Sequence, residues 1–296
     1  MQTKQQIQRL LASAGVEPNK RLGQHYLIDL NLMRLLIDSA GIESNDVVLE
    51  VGCGTGSLTE AIAECAGYCI AVELDPTTAA IAKRQLADAE NVQIICADIL
   101  RSKNTISRTV IDAMEDQRKC HDGRNLLVAN LPYNVASSVM VNLITTVTTV
   151  DGMYVTVQKE VAQRMTASPG SAEYGTLSIF LNATGQANMI RVLKPTVFWP
   201  QPQVSSAMVG YLRSEQKVNR IANMHLFVEM VHLFMGHRRK MLKACTKFAQ
   251  EKLKEIRNWQ EVFERASVDP QNRAEQILPE QYIMLANLCS EQLSEK

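Results

Sequence analysis

Asn130, Leu131, Pro132 and Tyr133 stand together directly after an apolar run, 126–129, that has the length and composition of a buried strand. At the end of such a strand, the asparagine amide oxygen and the Leu131 backbone carbonyl could accept the two N–H bonds of an amino group. The tyrosine ring could stack on the flat ring that carries this amino group. These four residues therefore predict a site that holds a planar amine.

A glycine-rich turn, with Gly52, Gly54 and Gly56, follows another apolar strand. Its spacing G-x-G-x-G differs from the dinucleotide pattern G-x-G-x-x-G, in which glycines bring the backbone close to a pyrophosphate. Glu50 precedes the turn, and the turn contains no Lys or Arg. A carboxylate there would repel phosphates but suits a ligand that carries an amino-acid or sulfonium group. The alternative is a tight connection between strand and helix that binds no ligand.

Two acidic residues follow the next two predicted strands. Glu73 comes about twenty residues after the glycine turn, where an acid can accept both hydroxyls of a ribose. Its alternative role is that of a solvated loop carboxylate. Because ligands of open α/β sheets bind at the carboxyl ends of the strands, we expect the glycine turn, Glu73, Asp98 and Asn130 to share one site. Such a site fits a nucleotide-like cofactor that delivers a group to a planar amine.

Alternating strand and helix signals over 46–157 predict the sheet that positions these residues, a parallel sheet covered by helices on both faces. A helix over 30–40, between an Asp29 N-cap and Gly41, should precede this sheet. The polar stretch 100–124 has only a weak helical pattern, and we interpret it as a surface excursion. The predicted strands are 47–49, 69–72, 92–96, 126–129 and 153–157.

Beyond the parallel strands, 189–193 and 207–212 are rich in β-forming residues and flank a proline-rich loop, which predicts a hairpin added to the sheet edge. Helical patterns dominate the C-terminal part, where no glycine follows Gly236. The predicted fold class is α/β. It combines a doubly wound, mostly parallel, Rossmann-like sheet with an edge hairpin over 1–216 and a small all-helical domain over 217–296.

Hydrophobic residues make up 46% of the 296-residue chain, but no apolar run approaches the length of a membrane span. We therefore expect a globular, cytoplasmic protein with no membrane partner. The seven cysteines are scattered without a C-x-x-C pair, and the five histidines show no metal-ligand clustering. These features predict a protein without a metal site.

Positive charge is concentrated in one segment, although the formal net charge is zero with 31 basic and 31 acidic residues. A basic surface over the whole molecule, as nucleic-acid binding often produces, is thereby excluded. Two interpretations of the segment remain, a phosphate-binding surface and a solvated helix end. Its basic residues, which we expect to form a stripe at helical spacing, are Arg238, Arg239, Lys240, Lys243 and Lys247.

Together, these motifs resemble those of the class I S-adenosylmethionine-dependent methyltransferases and, within them, of the ribosomal RNA adenine dimethyltransferases of the KsgA type. The resemblance runs over nearly the whole chain, and apart from the widely shared glycine turn its motifs are specific to this family. Further matching segments are L-G-Q-H-Y-L at 22–27, Q-K-E-V-A-x-R at 158–164, Y-G-x-L-S at 174–178, F-x-P-x-P-x-V-x-S at 198–206, R-R-K at 238–240 and R-A-E at 273–275.

The resemblance implies an enzyme, an rRNA (adenine-N6,N6)-dimethyltransferase with S-adenosyl-L-methionine as its cofactor. Such an enzyme would place two methyl groups on each of two adjacent adenosines near the 3′ end of small-subunit (16S) rRNA, during ribosome biogenesis. The implied partners are small-subunit ribosomal RNA and the immature small ribosomal subunit, with the five basic residues as RNA contacts. We expect the protein to be a monomer.

The same resemblance implies roles for single residues. The segment 130–133 would be catalytic, and Phe198 would cover the other face of the target adenine, unless this phenylalanine is a core residue beside Trp199. Glu73 would hold the ribose of the cofactor and Asp98 its adenine amine. The implied cofactor contacts are His25, Leu27, Gly52, Gly54, Glu73, Asp98 and Asn130.

Two other kinds of function share these features. An adenine N6-methyltransferase that acts on DNA or on large-subunit RNA would use the same amine-binding residues, although the helical C-terminal domain with 238–240 favours the small-subunit type. A non-catalytic, RNA-binding ribosome-assembly factor could be built on the same fold. Because Glu73, Asp98, Asn130 and Tyr133 are all intact, the enzyme is the leading hypothesis.

Overall fold

The chain divides into two compact units. A computed structural model describes residues 1–19, 22–103, 105–145 and 150–294. The first unit consists of Met1–Ala162 and Asn188–Leu212, and the second of Gln163–Ala187 and Arg213–Lys296. This division differs from the predicted boundary after residue 216, because the segment 163–187 belongs to the second unit.

The strands and helices of the first unit follow the predicted alternation. The strands of the described chain are β1 (Tyr26–Leu27), β2 (Val47–Val51), β3 (Tyr68–Glu73), β4 (Val92–Cys96), β5 (Leu100–Ser102), β6 (Thr105–Ile106), β7 (Asn125–Asn130), β8 (Gly152–Gln158), β9 (Gly185–Leu193), β10 (Phe198–Trp199) and β11 (Ser206–Arg213). The helices up to the end of β8 and just beyond it are α1 (Lys4–Ser13), α2 (Leu30–Ala40), α3 (Ser57–Ala63), α4 (Pro76–Gln85), α5 (Arg108–Cys120), α6 (Ala136–Thr145) and α7 (Lys159–Met165).

The central sheet has seven strands in the order β4-β3-β2-β7-β8-β11-β9. β2, β3, β4, β7 and β8 pair in parallel, whereas β11 pairs antiparallel to β8. The chain winds outward from β2 in one direction and from β7 in the other, so the two halves meet between these strands. This topology confirms the predicted doubly wound, mostly parallel sheet with two further strands at its edge, and it opens a crevice at the meeting point.

The central strands are apolar along nearly their whole length, without polar alternation, because helices cover both faces of the sheet. All five residues of β2 are buried, as are the first five of β7. The predicted helix α2 is confirmed from end to end. The Asp29 carboxylate accepts hydrogen bonds from the first backbone N–H groups, and Gly41 ends the helix at a φ of 53°.

The interpretation of 100–124 as a surface excursion is wrong. Within the described part of this segment, β5 and β6 form a short hairpin, and α5 then packs against β2 and β3. Val110 and Met114, four residues apart, provide its buried stripe at 0% and 1% exposure. Such a narrow apolar stripe in a mostly charged sequence gives a weak helical signal, although it is enough to dock the helix.

The second unit is helical, as predicted for the C-terminal part of the chain. α10 packs against α8 and α13, and the Phe180 and Phe227 rings meet edge to face at 5.7 Å. This contact explains why 163–187 belongs to the second unit. Even its longest helix has 16 residues, and no described helix is long and apolar enough to cross a membrane. Its helices are α8 (Thr176–Thr184), α9 (Glu215–Val218), α10 (Met224–Gly236), α11 (Leu242–Cys245), α12 (Trp259–Arg265) and α13 (Pro279–Ser294).

Candidate active site

A cavity in the first unit lies at the carboxyl ends of β2, β3, β4 and β7, at the crevice where the two halves of the sheet meet. The segments 22–27 and 131–135 complete its wall. The structure therefore brings together all of the predicted cofactor contacts. The residues that line the cavity include His25, Leu27, Gly52, Gly54, Glu73, Asp98 and Asn130.

The glycine turn needs glycine for both its backbone conformation and its close contacts. Gly52 and Gly54 have φ angles of 79° and 58°, in the left-handed region that side chains disfavour. A Cβ atom on Gly52 would lie 2.9 Å from Pro132 Cγ, and one on Gly54 would lie 2.7 Å from Tyr26 Cε1. Any larger residue would push the turn away from the segments that form the opposite wall.

Glu73 is held by two backbone N–H groups at the end of β3. Gly54 N donates to its Oε2 at 2.8 Å, and Asp75 N donates to its Oε1 at 2.9 Å. The residue is only 6% exposed, and burial raises the pKa of its carboxyl group although these two N–H bonds oppose the shift. Each carboxylate oxygen can accept a further hydrogen bond, so this side chain can receive two hydroxyl groups.

Glu50 lies beneath the cavity in β2 and is 2% exposed. Thr59 Oγ1 donates to its Oε2 at 2.6 Å. Burial raises the pKa of this carboxyl group to about 8, and the nearby Glu73 adds to the rise. Burial therefore favours the protonated form of Glu50, in contrast to the charged carboxylate expected from the sequence.

Asn130 ends β7 with its side-chain amide bonded at both ends. Its Nδ2 donates to the His25 carbonyl at 2.7 Å, and its Oδ1 accepts a hydrogen bond from Thr156 Oγ1. The backbone N–H of Leu131 donates to the Thr156 carbonyl at 3.1 Å, which carries the register of β7 and β8 into the turn. The amide and the start of the turn are thus fixed by the neighbouring strand.

Tyr133 is held at its hydroxyl and on one ring face. Its OH lies 2.6 Å from Ser206 Oγ on β11, and its ring stacks with His25 at 5.6 Å between centroids. The His25 ring is itself anchored, because its Nδ1 lies 2.7 Å from the Pro200 carbonyl oxygen and must donate to it. This arrangement fixes the tyrosine ring beside Asn130.

Phe198 lies elsewhere. It pairs with Leu27 between β1 and β10, is 2% exposed and belongs to a hydrophobic cluster with Leu32, Met33 and Leu193. Its side chain does not line the cavity wall. This position supports the core interpretation of Phe198 that the sequence had left open.

Three residues of the site received no role from the sequence, although Gln24 and Ser206 lie in the matching segments 22–27 and 198–206. Thr156 and Ser206 are fully buried hydroxyl residues that bond to Asn130 and Tyr133. Gln24 lines the cavity, and its buried Nε2 has no hydrogen-bond partner among the described residues. The threonine in the otherwise apolar stretch 153–157 of β8 was the available signal for Thr156.

A family model for ribosomal RNA adenine dimethylase matches residues 15–291. The chain belongs to this family. It is 34% identical over 298 residues to the ribosomal RNA small subunit methyltransferase A of Bifidobacterium adolescentis. The aligned region covers 96% of this chain and 93% of that protein. The protein of the same name from Geobacillus thermodenitrificans is 32% identical over 282 residues, with 94% of this chain and 93% of the relative covered.

Solved structures of other proteins have the same fold as this chain. A dimethyladenosine transferase from Plasmodium falciparum superposes with a TM-score of 0.71 at 20% identity, covering 90% of this chain and 98% of the other. The 23S rRNA methyltransferase ErmE gives a TM-score of 0.60 at 19% identity, covering 90% and 99%. Both likenesses extend over most of the chain, and at these identities they show a shared architecture.

The basic residues of this family member do not form a helical stripe, so that prediction is wrong. α10 ends at Gly236, Arg238–Lys240 lie in the turn that follows, Lys243 lies in α11 and Lys247 in a short 3-10 turn. A helix-like spacing alone did not reveal this break. Arg238 is also paired, because its Nη2 lies 3.0 Å from Glu275 Oε2 and its Nε 3.1 Å from the same atom.

An aromatic pair accompanies the basic residues. The His237 and Phe248 rings stack at 4.2 Å between centroids, and Lys240 Nζ lies 5.4 Å from the Phe248 ring centre. Phe248 is 43% exposed. This segment of the second unit thus offers positive charge and an exposed aromatic ring side by side.

One histidine of the second unit does cluster with acids. The ligand atoms of His225, Glu229 and Glu251 lie within 4.8 Å of one another, a spacing that could hold a metal ion. His225 and Glu229 are four residues apart on α10, whereas Glu251 comes from a later turn. The sequence expectation that no histidine clusters with metal-ligating residues is wrong here, because the third residue is distant along the chain.

Proposed function

We propose that this protein transfers methyl groups from S-adenosyl-L-methionine to the N6 amines of two adjacent adenosines near the 3′ end of small-subunit ribosomal RNA. Membership in the adenine dimethylase family supports this function, as do relatives named small subunit methyltransferase A. The decisive observation is the amide of Asn130. It is held at both ends, in the cavity that also contains the glycine turn and Glu73.

The chemistry of the cavity wall fits the proposed cofactor. Glu73 retains acceptor positions on both oxygens, which suit the two hydroxyls of a ribose. Asp98 is exposed at the end of β4 and can accept from the amine of an adenine. No Lys or Arg is among the described residues of the wall, as expected for a ligand whose reactive centre is a cation. His25, Leu27, Gly52 and Gly54 would complete the contacts.

An adenine amine is a poor nucleophile, because its lone pair is delocalised into the ring. Asn130 Oδ1 and the Leu131 carbonyl would accept its two N–H bonds, which allows the nitrogen to become pyramidal and directs the lone pair out of the ring plane. When bound, the cofactor supplies a sulfonium methyl group as the electrophile. Alignment of two reactants is worth up to about 7–11 kcal/mol in ideal cases, and these two acceptors would contribute to it by orienting the amine.

The proton balance requires no side-chain base. In the transfer, an N–C bond would form as the donor S–C bond breaks and leaves its electron pair on sulfur, so the amine nitrogen held by Asn130 and Leu131 would become positively charged. Its proton is then acidic and leaves to solvent. Tyr133 would stack on the target ring, and such stacking contributes about 1–3 kcal/mol per base.

The basic segment of the second unit would contact RNA, with the immature small subunit as the partner. Arg238 shares its charge with Glu275, whereas Arg239, Lys240, Lys243 and Lys247 are exposed. A local patch can bind phosphates despite a net charge of zero, because salt screens acids beyond about 8–10 Å. Exposed charge at these positions supports the phosphate-binding interpretation.

The test is transfer of labelled methyl groups to undermethylated small subunits, naked small-subunit RNA, large-subunit RNA and DNA, with Asn130→Ala as a variant of reduced rate for comparison. We expect dimethyladenosine in small-subunit RNA alone, identified by mass mapping. Labelling of large-subunit RNA or DNA instead would favour an adenine N6-methyltransferase that acts on that nucleic acid. Failure on all four, despite cofactor binding measured by calorimetry, would contradict the enzymatic function.

A further inference from the structure

The side-chain amide of Asn130 has one permitted orientation. The His25 carbonyl, 2.7 Å away, can only accept a hydrogen bond, so the atom that faces it must be the amide nitrogen. The amide oxygen therefore faces Thr156. Because an amide oxygen has no proton, the Thr156 hydroxyl must be the donor in the second bond. The His25 carbonyl thus determines an orientation that an asparagine otherwise leaves open, and the Thr156 hydroxyl, which can donate or accept, donates in it.

Thr156 lies where its hydroxyl can bond to Asn130 and is shielded from solvent. It lies beside Asn130 in the register of β7 and β8 and is 0% exposed. Its neighbours Val155 and Val157 are also fully buried. Since a β-branched side chain in a strand has a restricted χ1, its hydroxyl has little freedom to turn elsewhere.

We propose that Thr156 is a positioning residue for methyl transfer. By donating to one lone pair of Asn130 Oδ1, its hydroxyl keeps the other lone pair available for an N–H of the target amine. This inference rests on the proposed function and concerns the same site. It adds a residue that does not touch the substrate and that acts through Asn130.

The physical reason lies in what the opposite orientation would do. The terminal torsion of asparagine has broad, roughly two-fold preferences, so the amide nitrogen and oxygen exchange places with little torsional cost. After such a flip, the amide N–H₂ group would meet the N–H₂ group of adenine, donor against donor. The His25 carbonyl opposes the flip, because it would then face the amide oxygen, acceptor against acceptor. The Thr156 hydroxyl anchors the oxygen end of the amide, and without it the amide is held at one end only.

Two substitutions separate positioning from packing. Thr156→Val keeps the shape and removes the hydroxyl, and Thr156→Ser keeps the hydroxyl. We expect kcat of the valine variant to fall about tenfold, about 1.4 kcal/mol and within the range for one neutral hydrogen bond, with little change in KM for RNA or in cofactor Kd. The serine variant should recover most of the rate. Thr156→Ala must show the same fall as the valine variant, which guards against a folding defect in either one.

A matched control exists in the second unit. Thr184 is also 0% exposed, and its hydroxyl donates to the Phe180 carbonyl at 2.6 Å. Thr184→Val removes a buried hydroxyl of the same kind away from the cavity. We expect it to change the melting temperature but to leave kcat at the parent value, so a fall in kcat with both valine variants would point to a general packing effect.

A second measurement needs neither turnover nor cofactor. The side-chain N–H₂ signal of Asn130 in a ¹H–¹⁵N spectrum can be identified by its loss in Asn130→Asp. We expect slow exchange with solvent in the parent, because the amide is bonded to His25, and faster exchange in Thr156→Val. Parent kcat together with an unchanged amide signal in that variant would overturn the positioning role. If the parent itself methylates no substrate, the proposed function fails, while the amide signal still reports on the orientation.

Discussion

The cavity of the first unit and the basic segment of the second unit, 237–248, hold their functional side chains in different ways. In the cavity, Asn130 and Glu73 each make two hydrogen bonds, and Glu73 is almost fully buried. In the basic segment, most cationic side chains are exposed, and the backbone that carries them consists of short turns. Fixed geometry suits a reaction that depends on alignment, whereas loosely held charge suffices to attract a polyanion.

If this contrast holds, substitutions in the cavity should have large and specific effects. Asn130→Ala removes one of the two acceptors for the target amine. We expect kcat to fall by about 10²–10³, the usual loss when one oriented hydrogen bond to the reacting centre is removed. Cofactor Kd, measured by calorimetry, should change much less.

A matched control for this variant is Asn219→Ala, at an exposed position of the second unit. It should retain the parent rate. An Asn130→Ala enzyme that turns over as fast as the parent would mean that the amine is held by other groups, and the contrast between the two regions would break down.

Glu73→Ala should act on the cofactor. We expect its Kd to rise by a factor that corresponds to about 1.5–3 kcal/mol, as is typical for hydrogen bonds to a charged group. The variant also leaves the Gly54 and Asp75 N–H groups without their carboxylate, so the glycine turn should loosen. Glu64→Ala, an exposed acid at the end of α3, is the control. A normal cofactor Kd for Glu73→Ala would remove the ribose assignment.

Glu50→Gln tests the protonated carboxyl beneath the cavity. Burial raises the pKa of Glu50 from 4.5 to about 8, so the folded state keeps a proton that the unfolded chain releases. Between these two values the folded state binds more protons, and the free energy of unfolding falls as the pH rises. Glutamine stays neutral and can still accept from Thr59, so it avoids this loss.

The expected result is a difference that grows with pH. Relative to the parent, Glu50→Gln should gain stability from about pH 5 to pH 8, by at most about 1.4 kcal/mol per pH unit, and then level off. Melting temperatures of both proteins across this range measure it. Parallel pH profiles would show that Glu50 ionises like an ordinary acid.

The smallest effects belong to the basic segment. Arg239→Gln should reduce the slope of log affinity for RNA against log salt by about 0.7–0.9, as expected for one lost phosphate contact. Arg238→Gln should change the slope less, since this guanidinium is already paired with Glu275. The double variant should reduce it by less than about two, with cofactor affinity unchanged. Parent slopes in all three variants would leave the segment as a solvated surface and locate the RNA elsewhere.

The sequence predicted those parts of the fold and site that follow from local patterns. The five parallel strands are long apolar runs, and Glu73, Asp98 and Asn130 were expected to cluster because each lies at a strand end. Helix α2 was predictable because residues typical of helix caps, Asp29 and Gly41, stand at its two ends. Each of these inferences needs only neighbouring residues and the rule that parallel strands end at the same edge.

What the sequence did not reveal depends on contacts between distant segments. The bond from Asn130 to His25 uses a backbone carbonyl, which any residue type supplies, 105 positions away. Thr156 differs from an ordinary core threonine only through its partner on the adjacent strand. Phe198 could face the cavity or the core, and its pairing with Leu27 decided for the core. In each case the missing information was the identity of the partner.

The membership of α8 in the second unit has a consequence for the synthesis of the chain. Phe180 of α8 packs against Phe227 of α10, and Phe234 of α10 lies 6.2 Å from Tyr282 of α13. α8 is therefore translated long before α10 and α13, the helices that it packs with. The later of the two, α13, begins at Pro279. Until α10 has emerged, the ring of Phe180 lacks its aromatic partner, and until α13 follows, α10 lacks the contact of Phe234 with Tyr282. A nascent chain halted before α13 should bind apolar-surface chaperones, which release it only when the C-terminal helix emerges.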